Sequence, residues 1–325
     1  MKYPHLEANS SEKNYNVSHR RSRLAPSPTG ALHIGNAFSF LINWALARRN
    51  GWELILRMED LDGPRKKMET VQISLDMLQW LGINWDGEFN LQSEGIHHSR
   101  EALQTLINRN LVYHCELSRK EIEAVTSAPH ERNLREHLSL RPKDIWKHNQ
   151  TVSAAKTNWR FVATHCSANI KDACCEENEL VVDEDFVVWT KSDSPSYQLA
   201  VVVDDHRQGI TDVVRGNDLY HSAALQTQLY EAFGWKPPTW WHLPLILGPD
   251  GKRLAKRHGD SRVVYYKEKG VTPERIIGLV ATWCNIQKKL EPMDAVTFCN
   301  ELKLPSMSKE DKIFTSEDEQ WLLDS

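Results

Sequence analysis

The stretch Arg23–Asn36, RLAPSPTGALHIGN, joins a short apolar segment to an amphipathic run. Residues 22–25 form a strand candidate, and apolar residues recur at helical spacing from His33 to Arg49. Glycines allow a backbone to approach a ligand closely, and prolines hold a loop in shape before any ligand arrives. The start of a helix presents unpaired N–H groups and a positive dipole end, which attract phosphate. The stretch is therefore a candidate phosphate site, although HIGN taken alone favours a tight turn with a surface histidine.

Beyond this loop, strand and helix patterns alternate along the chain, as they do in a parallel α/β sheet. WELILRM, at residues 52–58, predicts a second strand that ends in Glu59-Asp60, and residues 66–81 predict a helix. Ligands of open parallel sheets bind beyond the carboxyl ends of the strands. The quoted loop leaves one such end.

The second half of the chain returns to regular patterns after a polar, weakly periodic region at residues 113–184. DFVVW, SYQLAVVVDD and ITDVVRG predict three strands, the first two of which form a hairpin across residues 192–195. Residues 222–233 predict a helix, HLPLIL predicts a strand, and the tail from Pro273 predicts helices.

Composition limits the classes of protein that fit. The chain has 325 residues, of which 40% are hydrophobic, enough to bury two domains or one domain with an insertion. No apolar run approaches the ~20 residues of a membrane-spanning helix, and the polar N-terminus lacks an apolar signal core. Six irregularly spaced cysteines without paired CxxC motifs indicate a cytoplasmic protein with reduced thiols. The net charge of −4 argues against a globally basic nucleic-acid binder.

A second loop changes the interpretation of the first. GPDGKRLAKRHGD, at residues 248–260, follows a strand and carries Lys252, Arg253, Lys256 and Arg257. A cationic loop of this kind can close over a triphosphate, whereas alone it is also explained as a solvated basic turn. Two such loops on one α/β sheet favour a nucleotide site.

Five segments together resemble the class I aminoacyl-tRNA synthetases of the glutamate type. APSPTGALHIGN is similar to their first signature, and RLAKR is similar to their second, lysine-rich signature. LRMEDLD, YQLAVVVDDH and DVVRGNDL are similar to further segments, in the family's order. The resemblance covers residues 20–285 apart from the insert. It implies an α/β fold, with a Rossmann-like parallel sheet, an inserted α+β subdomain and a short C-terminal helical extension.

The resemblance also implies domain boundaries. We expect a disordered tail at 1–18, a Rossmann-type catalytic domain at 19–112 and 185–258, an inserted subdomain with a degenerate zinc region at 113–184, and a short helical extension resembling a stem-contact domain at 259–325.

The glutamate pocket implied by the resemblance needs charges of both signs. Arg23 and Arg215 meet carboxylates, because a guanidinium fork matches carboxylate geometry, and Glu59 takes the α-ammonium group. Structural roles without a ligand stay open at this point. Arg23 and Glu59 can form a salt bridge at adjacent strand ends, and Arg215 can be a charged residue of a loop.

Further contacts to the amino acid are implied for residues without charge. Tyr197 donates or accepts a hydrogen bond at the amino acid, although a strand aromatic that faces the core is the plainer alternative. Ser27 lines the same pocket together with backbone groups of Leu24, Ala25 and Pro26.

Both signatures are implied to bind ATP, through Thr29, His33, Gly35, Asn36, Arg253, Lys256 and Arg257. His33 and Lys256 are the implied catalytic residues. His33 donates to a phosphate oxygen, Lys256 stabilises charge on the departing pyrophosphate, and Mg²⁺ accompanies ATP. Asn36, Arg253 and Ala255 depart from the commoner histidine, lysine and serine of the family.

The insert departs further from the family, which often binds Zn²⁺ there through a Cys-x-Cys pair, a tyrosine and a third cysteine. Only Cys115 matches, and neither tyrosine nor cysteine occurs between residues 118 and 150. A structural zinc site needs four good ligands, and His114, His130 and His137 are more typical of exposed surface. We therefore expect no metal in the insert.

Length and two segments suggest which members of the family are most similar. Full glutamyl-tRNA synthetases continue into domains that read the anticodon, and residues 258–325 leave room for only a short extension. With VVVDDH followed by QGITDVVRG, the chain resembles the short glutamyl-Q tRNA(Asp) synthetases. The resemblance implies ATP-dependent activation of L-glutamate and its transfer to the queuosine base at the wobble position of tRNA(Asp), by a cytoplasmic monomer.

Three alternatives stay open. The first is a truncated glutamyl-tRNA synthetase that charges a tRNA acceptor end. The second is another ligase or nucleotidyltransferase on the same fold. The third is a catalytically silent paralogue that binds glutamate and ATP.

Overall fold

The computed structural model describes residues 19–28, 32–61, 68–115, 157–164, 167–174, 179–182, 184–254, 260–304, 307 and 309–324. The predicted tail at 1–18 lies outside these residues. So do three predicted ATP ligands, Thr29, Lys256 and Arg257, and two of the histidines in the insert, His130 and His137.

Strands and helices alternate through the described part of the chain. Its strands are β1 (Arg21–Leu24), β2 (Glu53–Met58), β3 (Asn90–Leu91), β4 (Val112–Cys115), β5 (Asn158–Phe161), β6 (Ser167–Asn169), β7 (Glu179–Val181), β8 (Phe186–Thr190), β9 (Ser194–Pro195), β10 (Asp212–Gly216), β11 (Thr239–Leu243), β12 (Ile246–Leu247) and β13 (Lys312–Ile313). Its α-helices are α1 (Ile34–Asn50), α2 (Met68–Trp80), α3 (Ile96–Asn108), α4 (Tyr197–Arg207), α5 (Tyr220–Phe233), α6 (Val263–Glu268), α7 (Pro273–Trp283), α8 (Ala295–Glu301) and α9 (Ser316–Leu323).

The parallel part of the fold confirms the predicted α/β class. Strands β1, β2 and β3 pair in parallel, and β10 pairs in parallel with β11. The Arg20 carbonyl accepts from Glu53 N, whereas the next carbonyl, of Arg21, accepts from Thr211 N at 2.9 Å. Successive carbonyls of an extended chain point to opposite sides, so β10 lies on the side of β1 away from β2. The carboxyl ends of β1, β2, β10 and β11 therefore share one edge.

Helix α1 confirms the helix predicted from the opening stretch. His33 caps its N-terminus, Arg48 and Arg49 occupy its last turn, and Gly51 ends it with a φ of 63°. This left-handed conformation is one that glycine adopts without steric cost. Helix α8, in the C-terminal part of the chain, packs on α1, where Cys299 Sγ lies 3.7 Å from the Ala45 carbonyl oxygen.

The segment SYQLAVVVDD is a helix, α4, and the prediction of a strand was wrong. Strand β8 forms its hairpin with the two-residue β9, and the chain enters α4 directly afterwards. Residues 199–205 are all buried, because α4 packs between β8 and the helices α3 and α5. This burial on several sides outweighs the strand preference of its three consecutive valines. HLPLIL is also divided, into β11 and β12 at Pro244, which has no N–H for a sheet ladder.

The described part of residues 113–184 is continuous with the rest of the fold. An antiparallel sheet in the order β4-β5-β8-β9 pairs β5, inside the predicted insert, with β8, outside it. Asp172 bridges to Trp240 on β11, where Ala173 N donates to the Trp240 carbonyl at 2.8 Å. None of the described helices has the length and apolarity required to cross a membrane.

Candidate active site

A cavity of about 570 Å³ opens at the carboxyl edge of the parallel sheet. Its lining comes from the end of β1, the start of α1, the residue after β2, the start of α4, the end of β10 and the segment around β12. Ten residues predicted from the sequence line it: Arg23, Ala25, Ser27, His33, Gly35, Asn36, Glu59, Tyr197, Arg215 and Arg253. The fold therefore brings the predicted glutamate and ATP residues into one cavity.

Two predicted glutamate contacts do not line the cavity. Leu24 has a fully buried side chain in the core beneath the sheet, and its backbone pairs with Leu56. The Pro26 carbonyl accepts a hydrogen bond from Glu59 N at 3.0 Å and so fixes the chain after β2. The lining also includes uncharged residues that sequence reasoning missed, from three separate regions: Ser39, Phe40, Leu219, Leu245 and Leu254.

A buried ionic cluster forms the floor of the cavity. Asp205 Oδ1 lies 2.7 Å from Arg57 Nη1 and accepts from Arg23 Nε at 3.3 Å. Arg57 Nη2 donates to Glu59 Oε1 at 3.2 Å. Arg23 therefore pairs with Asp205 rather than with Glu59, which contradicts the simple salt bridge held open from the sequence. Asp205 was missed because its segment was interpreted as a strand, although two adjacent acids in an apolar run were a signal.

Glu59 has the environment of a cation ligand. Burial raises the pKa of its carboxyl group, and the charges of Arg57 and Arg23 only partly oppose this effect. A positive ligand group next to Glu59 would favour the ionised carboxylate. The position therefore suits the ammonium group of an amino acid.

Arg215 is buried and held by neutral acceptors. Its Nε donates to His242 Nε2 at 3.1 Å, and its two Nη atoms donate to Gln226 Oε1 at 3.0 Å and to the Leu219 carbonyl at 3.1 Å. Burial lowers the pKa of Arg215, and the nearby Tyr197 hydroxyl opposes this shift. Neutral partners fix the orientation of a guanidinium without cancelling its charge.

The charges around the cavity floor leave an excess of one positive charge. Of the charged groups that line this end of the cavity, two are guanidinium groups, of Arg23 and Arg215, and one is the carboxylate of Glu59. Arg57 and Asp205 lie behind them and pair with each other. A buried uncompensated charge is costly, and an anionic ligand would relieve that cost. The floor therefore suits a ligand that carries two carboxylates and one ammonium group.

At the other end of the cavity, His33 and Asn36 form a reciprocal cap on α1. The Asn36 backbone N–H donates to His33 Nδ1 at 3.2 Å, and Asn36 Oδ1 accepts from His33 N at 3.1 Å. Because Nδ1 acts as an acceptor, the ring proton resides on Nε2, which can donate to a phosphate oxygen. The backbone N–H of Asn36 thus fixes the tautomer of His33, while the Asn36 side chain completes the cap by accepting from His33 N.

His33 is neutral at physiological pH. Burial, reinforced by the Arg253 guanidinium and opposed by Asp218, lowers the pKa of His33 from 6.5 to about 4. The unfolded chain takes up this proton near pH 6.5, whereas the folded chain takes it up only near pH 4. The contribution of His33 to stability is therefore complete above pH 6.5 and is lost as the pH falls toward 4.

We expect His33→Asn to reduce the loss of stability between pH 7 and pH 5. Asparagine is also a good N-cap residue, so α1 keeps its start, but it does not titrate in this range. The measurement is the free energy of unfolding in urea at both pH values, for both proteins. Other histidines with lowered pKa values, such as His242, are common to both proteins and cancel. Equal losses in the two proteins would contradict the assigned protonation state.

The second cationic loop leaves the sheet beside the cavity. Gly248 N donates to the Lys252 carbonyl at 2.7 Å, and Arg253 forms a salt bridge of 2.8 Å with Asp218. On the far side of residues 255–259, Ser261 accepts a hydrogen bond from Ile34 N at 3.0 Å. Thus Leu254, on one side of these residues, lines the cavity, and Ser261, on the other side, contacts the start of α1.

The zinc prediction rests on residues that are mostly outside the described part of the chain. Cys115 is a buried cysteine at the end of β4, and the His114 ring lies 3.7 Å from the Trp159 ring at a tilt of 41°. Across the described residues, no three His, Cys, Asp or Glu side chains are grouped as metal ligands. The absence of zinc from residues 116–156 stays a prediction.

The comparison that identifies the family covers almost the whole chain. A family profile described as "tRNA synthetases class I (E and Q), catalytic domain" matches residues 20–321. The chain belongs to this family. Membership of this class I synthetase family confirms the resemblance inferred from the two signatures and assigns the chain to the ligases. It also agrees with the Rossmann-like arrangement of the parallel strands.

Two individual relatives carry different names within this family. The chain is 42% identical over 272 residues to a glutamyl-Q tRNA(Asp) synthetase of Rhodopirellula baltica, which covers 78% of this chain and 82% of that protein. It is 37% identical over 262 residues to a glutamate–tRNA ligase of Parvibaculum lavamentivorans, covering 78% of this chain and 52% of that protein. The chain thus spans about half the length of the curated glutamate–tRNA ligases that it matches.

A solved structure shares the fold at nearly full coverage. The glutamate tRNA ligase of Elizabethkingia meningosepticum, solved in complex with its amino acid, has a TM-score of 0.76 and 26% sequence identity to this chain. The match covers 94% of this chain and 69% of that protein.

Proposed function

We propose that this synthetase activates L-glutamate with ATP to form glutamyl-adenylate, and then transfers glutamate to the queuosine base at the wobble position of tRNA(Asp). The observation that carries the first step is the buried guanidinium of Arg215, whose hydrogen-bond partners are neutral, in the same cavity as the carboxylate of Glu59. A site with an excess positive charge and one separate carboxylate complements a dicarboxylic amino acid better than its amide.

In the activation step, an α-carboxylate oxygen of glutamate attacks the α-phosphorus of ATP. A P–O bond forms, and the bond to the β-phosphate bridging oxygen breaks, so that pyrophosphate leaves with the electron pair. Both reactants are anions, so alignment and positive charge lower the barrier. Glu59 and the guanidinium groups orient the amino acid, while His33 Nε2–H and the start of α1 hold phosphate.

Lys256 and Mg²⁺ complete the proposed chemistry. Lys256 stabilises charge on the departing pyrophosphate. We expect Mg²⁺ to accompany ATP as the counter-ion of its phosphates, whose charge it neutralises.

The proposed acceptor is supported by similarity to a relative rather than by a feature of the cavity. The relative named glutamyl-Q tRNA(Asp) synthetase is 42% identical and is matched over 82% of its length. The second candidate function is the charging of a tRNA acceptor end, because relatives named glutamate–tRNA ligase are 36–39% identical. In either case, we propose that the enzyme works as a cytoplasmic monomer without zinc.

We expect the full chain to catalyse glutamate-dependent exchange between ATP and pyrophosphate without tRNA. We also expect it to attach labelled glutamate to tRNA(Asp) that carries queuosine. Matched controls are tRNA(Asp) lacking queuosine and tRNA(Glu), neither of which should become labelled. Labelling of tRNA(Glu) would favour the second candidate. The absence of exchange both without tRNA and in the presence of tRNA(Asp) or tRNA(Glu) would exclude both candidates in favour of a silent binding protein.

A further inference from the structure

We propose that Asp172 and His242 act as a positioning dyad that fixes the guanidinium of Arg215 for a substrate carboxylate. The inference deepens the proposed function and rests on it, because it assigns two residues outside the predicted site to the recognition of glutamate.

The geometry forms a continuous buried chain of three side chains. His242 lies directly opposite Arg215 in the register of β10 and β11, and its Nε2 accepts from Arg215 Nε at 3.1 Å. On the far side of the ring, His242 Nδ1 lies 2.5 Å from Asp172 Oδ2. The side chains of both His242 and Asp172 are fully buried.

The order of donors in this chain is determined by arginine. A guanidinium group has only donors, so His242 Nε2 must present a lone pair to it. The single ring proton of neutral His242 is therefore on Nδ1, where it is donated to the Asp172 carboxylate. A carboxylate at this position selects the tautomer and the ring orientation of a histidine.

Asp172 is in turn held from a different part of the chain. Its Oδ1 accepts from Cys174 N at 2.8 Å, and the adjacent backbone bridges to β11 through Trp240. Trp240 also contributes to the site directly, since the Arg215 guanidinium carbon lies 4.6 Å above its ring centre. The region around Asp172 therefore supports both the face and the edge of the Arg215 guanidinium.

The decisive variant is Asp172→Asn, which keeps size but adds donors. If the new amide donates to His242 Nδ1, the ring proton moves to Nε2 and opposes the Arg215 Nε–H. If the amide oxygen instead accepts from Nδ1–H, its NH₂ group opposes Cys174 N–H. In either orientation of the new amide, one hydrogen-bond donor therefore faces another donor.

We expect Asp172→Asn to raise the KM for glutamate in ATP–pyrophosphate exchange by about tenfold or more, the effect of one mismatched buried hydrogen bond. The KM for ATP should stay within about twofold, because Asp172 and His242 do not line the cavity and act through Arg215. Asp185→Asn is the matched control. It also removes a buried carboxylate, which accepts from Tyr113 Oη and Ala163 N away from the cavity, and it should leave both KM values unchanged.

Two variants of His242 separate positioning from general stability. Glutamine places an acceptor oxygen near the position of Nε2, so His242→Gln should keep much of the affinity for glutamate. Asparagine reaches only the Nδ1 position, so His242→Asn should raise the KM for glutamate as Asp172→Asn does. Thermal unfolding of all four variants identifies any that fail to fold. If Asp172→Asn or His242→Asn does not fold, the conservative His242→Gln can still be compared with the wild type.

An NMR measurement tests the dyad without substrate. In ¹⁵N-labelled wild-type protein, we expect His242 to carry its proton on Nδ1, with the signal identified by its loss in His242→Gln. A proton on Nε2 of His242 would overturn the dyad. So would an Asp172→Asn variant whose KM for glutamate equals that of an active wild type. A wild type with the Nδ1 proton but no glutamate-dependent exchange would instead contradict the proposed function.

Discussion

Arg215→Ala is expected to raise the KM for glutamate by about 30- to 5,000-fold, which corresponds to about 2–5 kcal/mol for removal of one partner of a buried charge pair. The loss follows from the way in which Arg215 is held. Because the partners of its guanidinium are the neutral groups of His242, Gln226 and Leu219, its charge remains for the ligand. The preference for glutamate over glutamine should fall as well, since the excess positive charge of the floor disappears.

The controls for this prediction distinguish a lost ligand from a lost fold. Arg215→Lys keeps the charge but not the planar fork, so its KM should lie between those of the wild type and Arg215→Ala. Arg160→Lys changes another buried arginine, in the four-stranded antiparallel sheet, where the guanidinium donates to the Asp185 carbonyl, and it should leave the KM for glutamate unchanged. A folded Arg215→Ala protein whose KM for glutamate is within threefold of wild type would remove Arg215 from the pocket.

What the sequence predicts well is local. The start of α1 and the strand before it depend on residues a few positions apart, so the spacing of apolar residues predicts both. The clustering of Arg23, Glu59 and Arg215 also follows, because the carboxyl ends of parallel strands meet at one edge. Ten of the predicted residues line one cavity for this reason.

What the sequence does not predict is the set of partners that hold these residues. Asp205 is far along the chain from Arg23, and the valine run before it favours a strand by local preference alone. Only the burial of α4 against neighbouring elements makes it a helix and turns Asp205 toward the two arginines. Asp172 comes from a weakly periodic region, so its contact with His242 depends on a tertiary bridge that no local pattern encodes.

The remaining large effect is expected for Lys256→Ala. Removal of one donor that stabilises charge in a transition state costs about 10²–10³ in rate, or about 2.7–4 kcal/mol of barrier. We expect this loss in the kcat of glutamate-dependent exchange. The KM for glutamate should change little, because Arg23, Glu59 and Arg215 lie at the other end of the cavity from the start of α1. The fold should also be kept, since Leu254 before this loop packs against the core and Ser261 after it accepts from Ile34 N.

Lys252→Ala is the matched control, because it removes a second lysine from the same loop. Lys252 is exposed, and it is held through its own backbone. Its carbonyl accepts from Gly248 N, and its N–H donates to the Asp250 carboxylate. Its replacement should therefore leave kcat within about twofold of wild type, although the loop loses the same charge. Equal effects of the two substitutions would mean that the loop acts through its total charge, and normal exchange by Lys256→Ala would refute the role assigned to this lysine. A selective loss of kcat at Lys256 instead requires a specific ammonium group beside the departing pyrophosphate, as the chemistry of adenylate formation demands.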